Sequence, residues 1–196
     1  MTVFRSLVVF SVVLIALGAI GCQPAYISRT VETAQFRVPK SVPKVPQKPL
    51  EISVPGLANF GFITPDIWRG AEPTSAGFTV LKGLGVKTII DLREGDESAE
   101  IPPKVKYIRL PISAFAADRV DVAKVLQAIS ECPKPLYIHC REGRDRTGLA
   151  IAAYRLSQGM SAADACQELN NFHVNFWWRG PIQNRIYQLE REGFPR

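Results

Sequence analysis

The sequence is poor in the residues that build metal sites: its 196 residues include two histidines and four cysteines. Neither these residues nor the carboxylates are clustered with metal-ligand spacing. One of the two histidines, His173, is expected to pack or face solvent rather than catalyse. The chain also shows no internal repeat. We therefore expect chemistry that uses no metal and no cofactor.

Long apolar runs are also missing, since a membrane-spanning helix needs about 20 apolar residues. The longest run, Leu7 to Gly21, has 15 residues and follows a single basic residue, Arg5. That length is typical of the apolar region of a signal peptide. The run ends in Ala-Ile-Gly-Cys22, which resembles a bacterial lipoprotein cleavage box with Cys22 as the lipidated residue.

Residues 1–22 are therefore expected to form a signal peptide that ends in this box. The protein would be exported and anchored to a membrane through lipid at Cys22, on the periplasmic or extracellular side. An uncleaved N-terminal anchor and an ordinary secretory signal are the alternatives. Either would also place the domain outside the cytosol.

Excess positive charge is concentrated in the N-terminal part of the chain, although the formal net charge is +6. Residues 23–56 hold five Lys and Arg against two Asp and Glu, and Pro43, Pro46 and Pro49 recur every third residue. This composition predicts an extended linker. Residues 57–196 hold 18 Lys and Arg against 16 Asp and Glu, so they are expected to form a folded domain without a basic face for nucleic acid.

Within residues 57–196, short apolar runs alternate with helical periodicity, which predicts an α/β sandwich around a short, largely parallel sheet flanked by helices. The predicted strands are 61–63, 67–69, 86–92, 107–111 and 136–140. The predicted helices are 75–84, 120–130, 147–158, 161–171 and 181–191.

The segment from His139 to Gly148 carries most of the functional information: it reads His-Cys-Arg-Glu-Gly-Arg-Asp-Arg-Thr-Gly. It lies between a predicted strand and a predicted helix. Successive backbone N–H groups at such a position can form an anion-binding nest, and the helix dipole adds to it. The segment therefore predicts a phosphate-binding loop. Its predicted binding residues are Arg141, Glu142, Gly143, Arg144, Asp145, Thr147 and Gly148.

The same loop holds a candidate nucleophile, Cys140, whose thiolate the phosphate-binding donors would stabilise. Attack on phosphorus would give a phosphocysteine that water then hydrolyses. Arg146 is predicted to bind two phosphate oxygens with its planar guanidinium. Thr147 is predicted to donate a hydrogen bond to the sulfur. His139 is predicted to orient the loop rather than act as a base.

The segment has three alternative interpretations. Cys140 is an ordinary buried small residue in the first. In the second, the loop resembles that of a rhodanese-like sulfurtransferase, although Arg146 comes one residue later than in Cys-x-x-Gly-x-Arg and the larger ring suits tetrahedral phosphate. A non-catalytic phosphate-binding module is the third, and it is disfavoured because no essential loop residue is missing.

The pattern His-Cys-x-x-Gly-x-x-Arg-Thr-Gly resembles the signature of cysteine-dependent protein tyrosine and dual-specificity phosphatases. Segments 59–63, 67–73 and 86–93 are similar to the opening segments of compact bacterial, plant and fungal members of the dual-specificity superfamily. The resemblance implies a dual-specificity-phosphatase-like fold. It also implies hydrolysis of phosphotyrosine, phosphoserine or phosphothreonine in proteins.

The resemblance further implies a proton donor on the loop after the fourth strand. That loop offers Asp118, with Asp121 close behind. The alternative for Asp118 is an N-cap on the next helix, with Asp121 at its third position. Asp145 is a third candidate, because Gly-x-Asp-Arg-Thr resembles the loop of myotubularin-like lipid phosphatases. Asp118 is the predicted acid.

The basic residues of the loop bear on the substrate. Arg141 and Arg144 fall where phosphoinositide phosphatases of the same superfamily carry basic residues. An inositol polyphosphate or phosphoinositide is therefore an alternative substrate, unless Glu142 and Asp145 neutralise both charges.

Three pairs of residues outside the loop carry further expectations. Arg69 and Arg93 are candidates to brace the loop from below, or else surface ion-pair partners. Cys132 and Cys166 are expected to be free thiols rather than a disulfide. Trp177 and Trp178 are expected to pack in the core or at its rim.

Overall fold

The computed structural model describes residues 54–95 and 101–193. The predicted signal peptide, the lipidation site at Cys22 and most of the predicted linker lie outside these residues. Among the described helices, none combines the length and the apolar character needed to cross a membrane. The elements follow one another as β1 (Gly61–Thr64), β2 (Ile67–Gly70), α1 (Ser75–Gly83), β3 (Thr88–Asp91), β4 (Lys106–Arg109), α2 (Arg119–Glu131), β5 (Leu136–His139), α3 (Asp145–Ser157), α4 (Ala162–Asn171) and α5 (Phe176–Glu192).

The five strands form one sheet in the order β1-β2-β5-β3-β4. β1 pairs antiparallel with β2, and the other neighbours pair in parallel. The strand that precedes the phosphate-binding loop, β5, is therefore central. Its register sets Ile138 opposite Arg69 of β2 and Ile90 of β3.

Side chains that alternate along the strands divide the core into two layers. Ile67, Ile90 and Ile138 pack with residues of α2 to α5 on one face. Trp68, Ile89, Tyr137 and residues of α1 pack on the other face. The predicted α/β sandwich, with a short and largely parallel sheet flanked by helices, is confirmed.

The predicted elements match the observed ones within a few residues, apart from the last helix. α5 begins at Phe176 rather than at 181, because the side chain of Asn175 accepts a hydrogen bond from the N–H of Trp177 and caps the helix there. Pro181 lies inside α5. Proline is common in the first turn of a helix, and on that basis the sequence predicted a start of α5 that is too late.

Among the described residues, the two cysteines outside the loop are free thiols, as predicted. Cys132 and Cys166 are both buried and unpaired with each other. Burial raises the pKa of the Cys166 thiol to about 11, so it stays protonated at neutral pH.

Candidate active site

The connections that leave β3 and β5 converge at one edge of the sheet. The carboxyl ends of neighbouring parallel strands meet at that edge, where ligands bind in folds of this kind. The two connections enclose a cavity of about 280 Å³. Its lining residues are Arg93, Glu94, Cys140, Arg141, Glu142, Asp145 and Arg146. The structure thus brings together five of the predicted loop residues with two from the connection after β3.

The loop between β5 and α3 has the geometry of an anion-binding nest. Cys140 follows β5 directly and is buried, and α3 begins five residues later at Asp145. The N-terminal N–H groups of α3 and its dipole therefore point toward the region of Cys140. Gly143 has φ +68°, and a Cβ there would overlap the backbone of Gly70 and Ala71. Only glycine fits this turn.

Several residues hold the loop from the side of the sheet. The carbonyl of Gly143 accepts hydrogen bonds from Nη2 of Arg69 (2.6 Å) and Nδ2 of Asn59 (2.9 Å). The backbone N–H of Glu72 donates to the carbonyl of Arg141 over 3.2 Å. The prediction that Arg69 braces the loop agrees with this contact. Asn59 was not predicted to take part.

Arg93 contributes a guanidinium that is already engaged. Its Nε and Nη2 donate to the two carboxylate oxygens of Asp91, at 2.9 and 3.0 Å, and its Nη1 forms an ion pair with Glu72. The hydrogen bond to Asp91 raises the pKa of Arg93, against the effect of burial. Burial by itself would raise the pKa of Asp91, but hydrogen bonds from Arg93 and Tyr107 hold it below its usual value. Arg93 is thus a fixed wall of the cavity, and Asp91 and Glu72 balance its charge.

His139 lies behind Cys140 as a buried residue. Its Nδ1 is 3.3 Å from the carbonyl of Cys140 and 3.9 Å from Oδ1 of Asp91. Its ring stacks on Tyr137, with 5.8 Å between ring centroids. Burial lowers the pKa of His139, and the Asp91 charge only partly offsets this. A neutral, enclosed imidazole of this kind agrees with an orienting role.

The three loop arginines differ in their surroundings. Arg144 forms an ion pair with Glu142 at 3.3 Å, so its charge is largely neutralised. Arg141 and Arg146 line the cavity, and within residues 54–95 and 101–193 neither forms an ion pair. The predicted pairing of loop acids with loop arginines therefore holds for Arg144 and not for Arg141. Two guanidinium groups remain available to an anion.

The hydroxyl of Thr147 does not make the predicted hydrogen bond to the Cys140 sulfur in this structure. Thr147 Oγ1 is buried, and no partner for it exists among the described residues. Thr147 is the third residue of α3. Thr147 thus lies close to Cys140 in the sequence, and its hydroxyl donates to no other group among the described residues.

The structure separates the three predicted acid candidates. Asp118 is the N-cap of α2, where its Oδ1 accepts a hydrogen bond from the N–H of Asp121 at 2.8 Å. Asp118 lines a second cavity of about 390 Å³, and it does not line the cavity around Cys140. Asp121 forms an ion pair with Lys124 at 3.8 Å. Asp145 does line the Cys140 cavity.

A further carboxylate that lines the Cys140 cavity, Glu94, was not predicted from the sequence. It follows Arg93 directly and lines the same cavity as Cys140. The strand order explains its position, because β3 and β5 are parallel neighbours and their carboxyl ends lie side by side. An expectation that β3 adjoins β5 would have identified Glu94.

The two tryptophans lie outside the core, near the start of α5. Trp178 is 42% exposed and stacks on Phe115, with 4.8 Å between ring centroids, and Trp177 is 78% exposed. Rim packing thus describes Trp178, whereas Trp177 is mostly in solvent. The described residues also contain no group of three or more His, Cys, Asp or Glu that could bind a metal ion.

Comparison with known proteins agrees with this geometry. The chain is 33% identical over 111 residues to the dual specificity protein phosphatase TpbA of Pseudomonas aeruginosa strain UCBPP-PA14, a match that covers 55% of this chain and 51% of that protein. The chain thus spans about half the length of the curated relatives it matches first.

Solved structures show the same fold. The crystal structure of P. aeruginosa TpbA superposes with a TM-score of 0.54 at 26% identity, covering 70% of this chain and 98% of that chain. The core catalytic domain of the PP-IP phosphatase SIW14 from S. cerevisiae gives a TM-score of 0.59 at 24% identity, over 71% of this chain and 91% of that chain. Residues 64–177 match the family described as DSP-PTPase phosphatase fused to NAD+ kinase. The chain therefore belongs to this family of cysteine-dependent, dual-specificity-like phosphatases, as its loop signature predicted.

Proposed function

We propose that the protein hydrolyses phosphomonoesters of phosphotyrosine, phosphoserine or phosphothreonine in proteins through a phosphocysteine intermediate. One observation carries the proposal. Cys140 lies at the junction of β5 and the N-terminus of α3, in a cavity that also contains Arg146 without an ion-pair partner among the described residues. The name of the relative TpbA supports the same class of activity.

The first chemical step transfers the phosphoryl group to the enzyme. The loop N–H groups and Arg146 bind the non-bridging oxygens, and the Cys140 thiolate attacks phosphorus in line with the ester oxygen. The S–P bond forms as the P–O ester bond breaks. The leaving oxygen takes a proton from a carboxylic acid. The products of this step are a free hydroxyl compound and a phosphocysteine.

The second step regenerates the thiolate. Water attacks the phosphocysteine, the P–S bond breaks, and inorganic phosphate leaves. The carboxylate formed in the first step takes the proton from that water, by microscopic reversibility. The buried hydroxyl of Thr147 is the proposed donor to the departing sulfur. Asp118 is the proposed acid, and Asp145 and Glu94 are its rivals because they line the cavity.

A second substrate class rests on Arg141. This exposed guanidinium lines the cavity without an acidic partner among the described residues, beside Arg146 and the wall formed by Arg93. A polyanionic inositol phosphate would gain more from the additional positive charge than a single phosphorylated side chain would. Inositol polyphosphates or phosphoinositides are therefore the alternative substrates.

A substrate panel with a matched pair of variants separates the two classes. The full chain is assayed on a phosphotyrosine peptide, a phosphoserine peptide and inositol hexakisphosphate, with thiosulfate as a test for sulfurtransfer. Arg141→Gln removes an unpaired guanidinium, and Arg144→Gln removes one paired with Glu142. Similar losses of kcat/KM on all phosphate esters support a protein phosphatase. A selective loss on inositol hexakisphosphate for Arg141→Gln supports the alternative.

We further propose that the protein acts at a membrane surface outside the cytosol, anchored through lipid at Cys22. The proposal rests on the short apolar run that ends in Ala-Ile-Gly-Cys22 and on the Pro- and Lys-rich segment that follows it. Mass spectrometry of the membrane fraction is expected to find a diacylglyceryl group on Cys22. Recovery of a soluble form that was cut elsewhere and carries no lipid would contradict it.

A further inference from the structure

The phosphate-binding loop contains one residue whose backbone has unusual freedom. Gly143 has φ +68°, and glycine adopts positive and negative φ with nearly equal ease. The carbonyl of Gly143 and the N–H of Arg144 belong to one planar trans peptide, in which they point in opposite directions. If this peptide rotated, the nest would present a carbonyl oxygen where an N–H should face the anion. Something outside the loop must therefore fix the Gly143 carbonyl.

Two side chains from distant parts of the chain do so. Nη2 of Arg69 donates to the Gly143 carbonyl at 2.6 Å, and Nδ2 of Asn59 donates to the same oxygen at 2.9 Å. Both donors come from the N-terminal side of the domain, 74 and 84 residues before Gly143. A carbonyl held by two donors on one side directs the Arg144 N–H to the other side.

The donors are themselves fixed by Phe172, the C-cap of α4. The guanidinium carbon of Arg69 lies 3.8 Å from the centroid of the Phe172 ring, a cation–π contact. Nδ2 of Asn59 also donates to the Phe172 carbonyl at 3.0 Å. A Cβ at Gly61 would lie 2.6 Å from the Phe172 ring, so Gly61 leaves the space that the ring occupies.

Burying the charge of Arg69 at this position costs free energy, which indicates that the residue has a specific role. It is 1% exposed, and burial lowers its pKa to about 10, so it remains charged at neutral pH. A buried cation is costly unless its hydrogen bonds compensate for lost water. Its hydrogen bond to Gly143 is the shortest that the loop receives from a side chain among the described residues.

We propose that Arg69 is a positioning residue for the phosphate-binding loop: with Asn59, it holds the Gly143 carbonyl away from the cavity so that the Arg144 N–H faces the bound phosphoryl group. The residue never touches the substrate. It acts on the donors that surround the anion and the Cys140 thiolate. This inference rests on the proposed phosphatase function.

The test compares two buried arginines that each donate to a loop carbonyl. Arg69→Met removes the donor to Gly143. The control, Arg185→Met, removes a guanidinium that is 9% exposed and donates to the Ala117 carbonyl at 2.8 Å, away from the phosphate-binding loop. Both variants lose a buried charge and a hydrogen bond to backbone, and Arg185→Met also loses an ion pair with Glu192 at 3.5 Å. General destabilisation is thus common to the two, and a loop-specific effect is not.

Two measurements on the full chain require no turnover. Calorimetry gives the affinity for inorganic phosphate, and the rate of iodoacetate labelling at one fixed pH reports the reactivity of Cys140. Arg69→Met is expected to bind phosphate about tenfold more weakly, equivalent to about 1.4 kcal/mol, and to be labelled more slowly. Arg185→Met is expected to keep the wild-type values of both.

Asn59→Gly provides a second variant in case Arg69→Met does not fold. Asn59 has φ +52°, so glycine keeps its backbone while removing the second donor, and a smaller change in the same direction is expected. Wild-type phosphate affinity and labelling in folded Arg69→Met, or in Asn59→Gly if Arg69→Met is unfolded, would overturn the inference and leave the phosphatase proposal intact. If the wild-type chain itself binds no phosphate, the proposed function fails first.

Discussion

Asp145 and Asn175 join the beginnings of two helices: Oδ1 of Asp145 accepts a hydrogen bond from the backbone N–H of Asn175 at 3.0 Å. Asp145 is the first residue of α3 and lines the Cys140 cavity, whereas Asn175 caps α5. One oxygen of this carboxylate is thus committed to structure. The relationship bears directly on which acid donates the proton.

Asparagine is as good an N-cap as aspartate, so Asp118→Asn keeps the cap of α2 and removes the proton alone. If Asp118 is the acid, this variant lowers turnover of an alkyl phosphate by roughly two to four orders of magnitude and of an activated aryl phosphate by much less. The free energy of unfolding stays unchanged. Asp118→Ala loses the cap as well, and it is expected to lower the free energy of unfolding by about 1 kcal/mol.

Variants of Asp145 and Glu94, which line the cavity, test the alternative that one of them donates the proton. Asp145→Asn and Glu94→Gln are measured on the same two substrates. If one of them shows the dependence on the leaving group while Asp118→Asn keeps full turnover, the proton comes from inside the cavity. Asp118 would then be a cap and nothing more.

Cys140 and Arg146 should be indispensable for different reasons. Cys140→Ser is expected to abolish turnover and keep phosphate affinity, because the backbone nest and Arg146 survive. Arg146→Lys is expected to lose both, because an ammonium cannot bind two oxygens with a planar fork. Turnover assays and phosphate titrations measure the two effects. Sustained activity in Cys140→Ser would exclude the covalent mechanism, and chelators are expected to leave the wild-type rate unchanged.

Two glycines with positive φ separate backbone strain from steric overlap. Gly143→Ala would place a Cβ into the backbone of Gly70 and Ala71, whereas Gly159, at φ +85°, has open space around its Cβ position. Gly159→Ala is expected to cost about 1–2 kcal/mol and keep full activity. Gly143→Ala is expected to cost more and to lose phosphate binding. Equal effects of the two on phosphate affinity would refute the tight fit of the loop against β2.

The burial of His139 predicts a specific dependence of stability on pH. Burial lowers the pKa of His139 in the folded state, so between that value and about 6.5 the unfolded chain binds more protons. The free energy of unfolding should therefore fall as the pH is lowered below about 7, until His139 is protonated in the folded state as well. Asp91, whose pKa is held below its usual value, contributes only at still lower pH.

Denaturant titrations between about pH 7 and pH 5 measure this slope. His139→Asn should flatten it. An unchanged slope in His139→Asn would assign the dependence to other groups.

Local patterns sufficed to predict the strands, most helices and the phosphate-binding loop, because each depends on residues close together in the chain. The missed features are those set by strand order. Asn59 reaches Gly143 across 84 residues. Glu94 reaches the cavity because β3 lies beside β5. No periodicity encodes which strands become neighbours. The start of α5 was missed for a local reason, since the cap of Asn175 outweighed the proline signal at 181.

The central position of β5 couples anion binding to the stability of the whole sheet. The phosphate-binding loop directly follows β5, which is paired with a strand on each side. The loop therefore keeps its shape only while those pairings exist. By mass action, a ligand that binds the folded state alone stabilises it by about 2.7 kcal/mol at a concentration 100 times its Kd. Inorganic phosphate should therefore raise the melting temperature of the full chain. The melting temperature of the Cys140→Ser variant, which is expected to be inactive, should therefore rise most with the anions that it binds best, without any substrate being turned over.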